Sequence, residues 1–181
     1  YIMGVINTSP DSFSGDGVAG NIEIAAAQAH RFQKEGADII DVGGESTSPD
    51  AQPTPTDEEL QRVVPVVKRL AAEVSLPISI DTYKSEVARA ALDAGACMIN
   101  DVWGLKRDPR LAELAAKRGV PIVLTSNQRG DNPSDIIAAI NSGLRRSMDT
   151  ALEEGVPRHN IILDPGVGFG KTLEQNLEVI R

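Results

Sequence analysis

Short apolar runs punctuate the chain at residues 2–6, 39–42, 78–80, 98–99, 122–124 and 161–163. Each is near-continuous rather than alternating, the pattern of a strand covered on both faces. Between the runs, apolar positions recur at helical spacing. Ile22, Ala25, Ala26, Ala29 and Phe32 fall on one helical face, and Gly36 closes that helix. Thr56 and Glu59 have the spacing of a capping box and open a helix carrying Val63, Val66, Val67 and Leu70. Further helices are predicted over 86–94, 111–118, 136–154 and from 173 onward, with Gly95 and Gly119 following two of them.

Strict alternation of six such strands and helices predicts an α/β fold with a parallel sheet. A doubly wound open sheet and a (β/α)8 TIM barrel both satisfy it, and both place working residues in loops at the carboxyl ends of the strands. Those ends read Asn7, Asp41, Asp81, Asn100 with Asp101, and Asp164. Any one of them is explained as a helix cap or turn residue. Five strands ending this way favour a closed barrel, where they would ring one mouth. The whole chain, 1–181, is expected to be a single barrel domain.

Composition narrows the function classes. A net charge of −8 and a pI near 4.8 argue against a nucleic-acid partner, which favours a basic face. No run of about eighteen apolar residues and no basic-then-apolar leader is present, so no membrane partner is expected. The single cysteine, Cys97, fits a cytoplasmic protein and is expected to be a small buried hydrophobe beside Met98. His30 and His159 are expected on the surface. With no H-E-x-x-H, C-x-x-C or G-x-S-x-G segment, zinc and serine-hydrolase chemistry has no support.

Three segments carry candidate chemistry. "DPGVGFGKT" (164–172) has Pro165 where a phosphate-binding P-loop needs glycine. Its glycines suit either a mobile loop, with Thr172 and Gln175 capping the next helix, or a close approach to a flat ligand with Phe169 as a stacking face. "DVGGESTSP" (41–49) offers backbone N–H groups and hydroxyls suited to phosphate oxygens. "NTSPDSFSGDG" (7–17) leaves the first strand with a lone Phe13 between serines, more than a plain connector requires.

Taken together, "INTSPDSFSGDG", "GADIIDVGGESTSP", "ISIDTYKSEVARAAL", "GACMINDV" and "IILDPGVGFGKTLEQNL" resemble, in order, the signature segments of the dihydropteroate synthase family. The resemblance covers nearly the whole chain. It implies a pterin-binding (β/α)8 barrel that joins 6-hydroxymethyl-7,8-dihydropterin pyrophosphate to p-aminobenzoate with Mg2+, giving dihydropteroate and pyrophosphate. It implies that Asp164 accepts the guanidine-like edge of the pterin, that Asp81 and Asn100 hold other parts of the ring, and that Thr47 touches the pterin substrate. Phe169 and Lys171 join the substrate-binding set, and Asn7 matches a Mg2+-linked asparagine. Asp11, Ser12 and Phe13 would form a lid over the substrates. A cytoplasmic homodimer is implied for the full-length protein.

The chain departs from the family pattern at several points. Ser48 stands where the family usually has Arg, and Leu124-Thr125-Ser126 where it has Leu-Met-His. The acid of the first loop is displaced to Gly15-Asp16. The sequence ends at Arg181, in the sixth helix, before the family's seventh and eighth strands with their basic residues. A truncated chain is therefore expected to self-associate and to turn over weakly. Two other readings are a methyltetrahydrofolate:corrinoid methyltransferase domain, which should lack the "TSPDSFS" and "GEST" segments, and an inactive pterin-binding fragment.

Overall fold

The computed structural model describes residues 1–9, 21–48, 51–131 and 133–181. They form two compact units, Tyr1–Asn100 and Asp101–Arg181. In chain order the first holds β1 (Met3–Asn7), α1 (Ile22–Glu35), β2 (Ile39–Gly43), α2 (Thr56–Glu73), β3 (Ile78–Asp81) and α3 (Ser85–Ala94), and runs into β4 (Met98–Asp101). The second holds α4 (Arg110–Arg118), β5 (Ile122–Thr125), α5 (Ile136–Glu153), β6 (Ile161–Asp164) and α6 (Leu173–Ile180). The predicted βα units are all present.

In the first unit β1, β2, β3 and β4 pair in that order, all parallel. One face carries Ile6, Ile40, Val42, Ile78, Ile80 and Ile99, all essentially buried, against the Ala and Val positions of α1, α2 and α3. Each such aliphatic side chain contributes roughly 1.5–3 kcal/mol. The other face is not apolar as the sequence reading expected. It carries Asp41 and Ser79 in one register row, and Asn7, Gly43, Asp81 and Asn100 in the row at the carboxyl ends. Asp41, Ser79, Asp81 and Asn100 alternate with Ile40, Val42, Ile78, Ile80 and Ile99, so these strands turn polar side chains to one face toward their carboxyl ends.

Local chemistry decides the helix ends. Asn21 caps α1 through its side-chain oxygen, which accepts from Glu23 and Ile24 N–H, and Gly36 ends the helix at φ 94°. Thr56 does not cap α2. Pro55 occupies the cap position, and Glu59, the supposed partner, is buried and engaged elsewhere. Cys97 is exposed rather than buried, since it sits in the turn before β4 and not within the strand.

In the second unit β5 and β6 run parallel, with Thr125 opposite Asp164. Asp101, at the end of β4, is fully buried and accepts N–H bonds from Trp103 at 2.9 Å and Leu105 at 2.6 Å. It braces a turn in which Leu105 takes φ 66°, the one left-handed non-glycine among the described residues. Thr172 and Gln175 form the predicted capping box on α6. No helix among the described residues is long and apolar enough to cross a membrane.

Candidate functional site

The carboxyl-end row of the first unit brings together Asn7, Asp81 and Asn100, as the strand-end pattern anticipated. Gly43 separates the first two. A Cβ on Gly43 would lie 3.4 Å from Asp81 Oδ2 and 3.7 Å from Asn7 Oδ1, so these two oxygens flank the space its missing side chain leaves. Asn7 has no side-chain hydrogen bond among the described residues, and no group of three or more His, Cys, Asp or Glu converges there to cage a metal. Mg2+ is commonly held by one or two protein oxygens with waters and substrate phosphates completing the shell. The hard oxygen of Asn7 fits that role.

Below this row lies Asp41, 3% exposed, whose Oδ2 accepts from Asn100 Nδ2 at 2.9 Å. Burial pushes its carboxyl above the usual range, against the nearby Ser79 hydroxyl and the Asn100 amide, which favour the charged form.

The loop after β2 is anchored by charge. Lys84 Nζ donates to Glu45 Oε2 at 2.6 Å, to the Thr54 carbonyl at 2.7 Å, and to Glu59. Thr82 Oγ1 donates to Glu59 Oε1 at 2.7 Å, and Tyr83 OH to Glu45 at 3.3 Å. Thr47, two residues beyond Glu45, is exposed on the loop so anchored. Ser48, Ser46 and Ser9 open onto a cavity of about 510 Å³ whose cation is Arg62. The Arg62 guanidinium is tied to the Gly44 carbonyl at 2.9 Å and to Glu58.

In the second unit Asp164 ends β6 with both oxygens oriented. Oδ1 accepts from Gly166 N–H at 2.8 Å and Oδ2 from Thr125 Oγ1 at 3.2 Å. Thr125 and Ser126 thus gain defined roles. Thr125 holds Asp164, while Ser126 Oγ accepts from Gln128 and its carbonyl receives Lys171. Lys171 Nζ also donates to the Gly166 carbonyl at 2.7 Å and the Phe169 carbonyl at 3.4 Å. Burial lowers its pKa, opposed by Asp164 and helped by Lys106.

The glycine loop makes a contact that neither expectation named. Gly166 and Gly170 take φ +70° and +69°, and a Cβ on either would come within 2.3 Å of the 126–129 backbone. Close approach is what these glycines permit, but to the neighbouring loop. One face of Phe169 is covered by the Arg129 guanidinium, 5.1 Å from the ring centroid.

Asp11, Ser12 and Phe13 lie outside the described residues. Glu45, Glu59 and Lys84 were not singled out by sequence reasoning as site residues, and Asp41, read there as a strand end, lies within β2 instead. Nothing local could have paired Lys84 with Glu59.

Residues 3–181 match the family model described as pterin binding enzyme. The chain is 48% identical to dihydropteroate synthase of Bacillus subtilis over 99% of its own length and 63% of that protein's. A crystal structure of dihydropteroate synthase from Clostridium difficile in the presence of pteroic acid superimposes with TM-score 0.92 at 48% identity, covering 100% of this chain and 69% of that one. Dihydropteroate synthase from Xanthomonas albilineans in complex with 7,8-dihydropteroate gives TM-score 0.86 at 40% identity over 99% of this chain and 65% of its own. This chain thus spans about two thirds of the length of these relatives and carries six βα units of a pterin-binding (β/α)8 barrel. With the match running from residue 3 to the last, the chain belongs to the pterin binding enzyme family.

Proposed function

We propose that this chain is the pterin-binding portion of a dihydropteroate synthase. The observation that carries the reading is Asp164, a carboxylate held by Gly166 and Thr125 at a strand end, in a segment shared with relatives crystallised with pteroic acid and dihydropteroate. A carboxylate accepts two parallel N–H bonds from the guanidine-like edge of a pterin, and charge makes them strong. Asp81 and Asn100 take other polar atoms of the ring, Thr47 touches the pterin substrate, and Phe169 and Lys171 border the same ligand. Asn7 would hold Mg2+, which supplies charge neutralisation for the leaving pyrophosphate.

The reaction breaks the bond between the pterin methylene carbon and the pyrophosphate oxygen. The aniline nitrogen of p-aminobenzoate supplies the electron pair for the new C–N bond and loses one proton. Carboxylates near the ring stabilise the cationic methylene that forms on the way. A cytoplasmic homodimer is the assembly we infer for the longer protein.

The test is incubation of the chain with 6-hydroxymethyl-7,8-dihydropterin pyrophosphate, with and without p-aminobenzoate, while pyrophosphate release and dihydropteroate are followed. Release that depends on p-aminobenzoate and yields dihydropteroate supports a synthase. Binding heat without product indicates a pterin-binding portion that lacks turnover alone, and no binding at all overturns the reading.

A further inference from the structure

Asp41 is an awkward residue for the place it occupies. It is 3% exposed, and its Oδ1 is buried without a hydrogen-bond partner, as is the hydroxyl of Ser79, its neighbour across the β2–β3 ladder. A buried carboxylate with one oxygen unmet destabilises a fold, and an aliphatic residue would suit the interior better. The single hydrogen bond of the Asp41 side chain among the described residues is the one from Asn100 Nδ2, reached diagonally past β3.

That bond settles the orientation of Asn100. The oxygen and NH2 ends of an amide have nearly the same size, so only their partners decide which way it lies. An ionised carboxylate can only accept, and it is the Nδ2 end of Asn100 that faces Asp41. Its Oδ1 then points the other way, has no partner among the described residues, and belongs to a half-buried residue in the carboxyl-end row.

We propose that Asp41 is a positioning residue that fixes the Asn100 amide with its oxygen toward the ligand. The site thereby selects a ring edge that offers an N–H at that point and disfavours one that offers a lone pair. The inference rests on the reading of Asn100 as a pterin contact. Its ligand-free half, the locked amide, stands apart from that reading.

The experiment compares the 181-residue chain with Asp41→Asn and with the exchanged pair Asp41→Asn/Asn100→Asp. In the single variant two amides face each other and Asn100 is free to turn. In the exchanged pair the new amide donates to the new carboxylate, and an oxygen again faces the ligand. Calorimetry with 6-hydroxymethyl-7,8-dihydropterin should show Asp41→Asn weakened about tenfold, the scale of one lost hydrogen bond, and the exchanged pair recovered to within about threefold. Side-chain amide NMR should show the Asn100 signal displaced in the parent chain and returned to ordinary values in Asp41→Asn. Equal pterin affinity in the parent and Asp41→Asn overturns the proposal, as does an exchanged pair no better than the single variant. If the parent chain binds no pterin, the pterin reading fails by itself. The locked amide is then judged on NMR alone, where an Asn100 signal unchanged by Asp41→Asn overturns it.

Discussion

Lys84 and Glu59 form a direct ion pair in the first unit, with the glutamate only 1% exposed and the lysine side chain 16% exposed. Burial alone would lower the Lys84 pKa, but Glu45 and Glu59 more than reverse it, so the ammonium stays charged. Through this pair the loop carrying Ser46, Thr47 and Ser48 is tied to α2 and to the start of α3.

Removing the cation should therefore be severe. Lys84→Met leaves Glu59 buried and uncompensated, a change that costs about 3–5 kcal/mol. Urea unfolding at neutral pH measures it. A loss near zero would show that the pair is not needed to hold α2 and α3.

The helix caps give a paired test. Asn21→Ala removes the acceptor for Glu23 and Ile24 N–H and should destabilise by about 1 kcal/mol. Thr56→Ala should change stability by no more than about 0.5 kcal/mol, since Thr56 makes no capping bond. Equal losses in thermal unfolding would restore the capping box at Thr56.

These contrasts show what was legible in the sequence. Gly36 and the Thr172–Gln175 box act within one helix turn, and the strand-end Asn7, Asp81, Asn100 and Asp164 mark where each strand stops. Local patterns therefore gave the elements and much of the candidate site. Glu59 misled because its carboxylate is claimed by Lys84, 25 residues on. The approach of Gly166 and Gly170 to the 126–129 backbone, some forty residues earlier, was not legible either. Long-range partners leave no local signal.

Asp101 makes the fold sensitive to pH. Burial raises its pKa from 3.8 to about 6, against the N–H bonds from Leu105, Trp103 and Gly104. The folded state thus binds more protons than the unfolded chain between these values. Its contribution is fully present below pH ~4 and is lost as pH rises through about 6, a change of about 3 kcal/mol. A carboxyl resonance of Asp101 titrating near 4 instead would contradict this.

Gly170→Ala should force the glycine loop off its neighbour, because the new methyl would meet the Arg129 N and Gln128 carbon within 2.4 Å at a left-handed φ. A destabilisation of about 1–3 kcal/mol is expected, with weaker pterin binding as Lys171 loses its carbonyls. Stability and affinity both unchanged would mean that the loop does not depend on this contact.

The most direct measurement is calorimetry of 6-hydroxymethyl-7,8-dihydropterin pyrophosphate on the chain and on Asp164→Asn. An amide accepts only one of the two N–H bonds and turns a donor toward the ring, a mismatch of about 2–5 kcal/mol in a buried charge-assisted pair. Binding by the parent chain, reduced at least about thirtyfold in the variant, is the predicted result. Equal affinity in the two proteins, or no binding by either, would contradict Asp164 as the pterin acceptor.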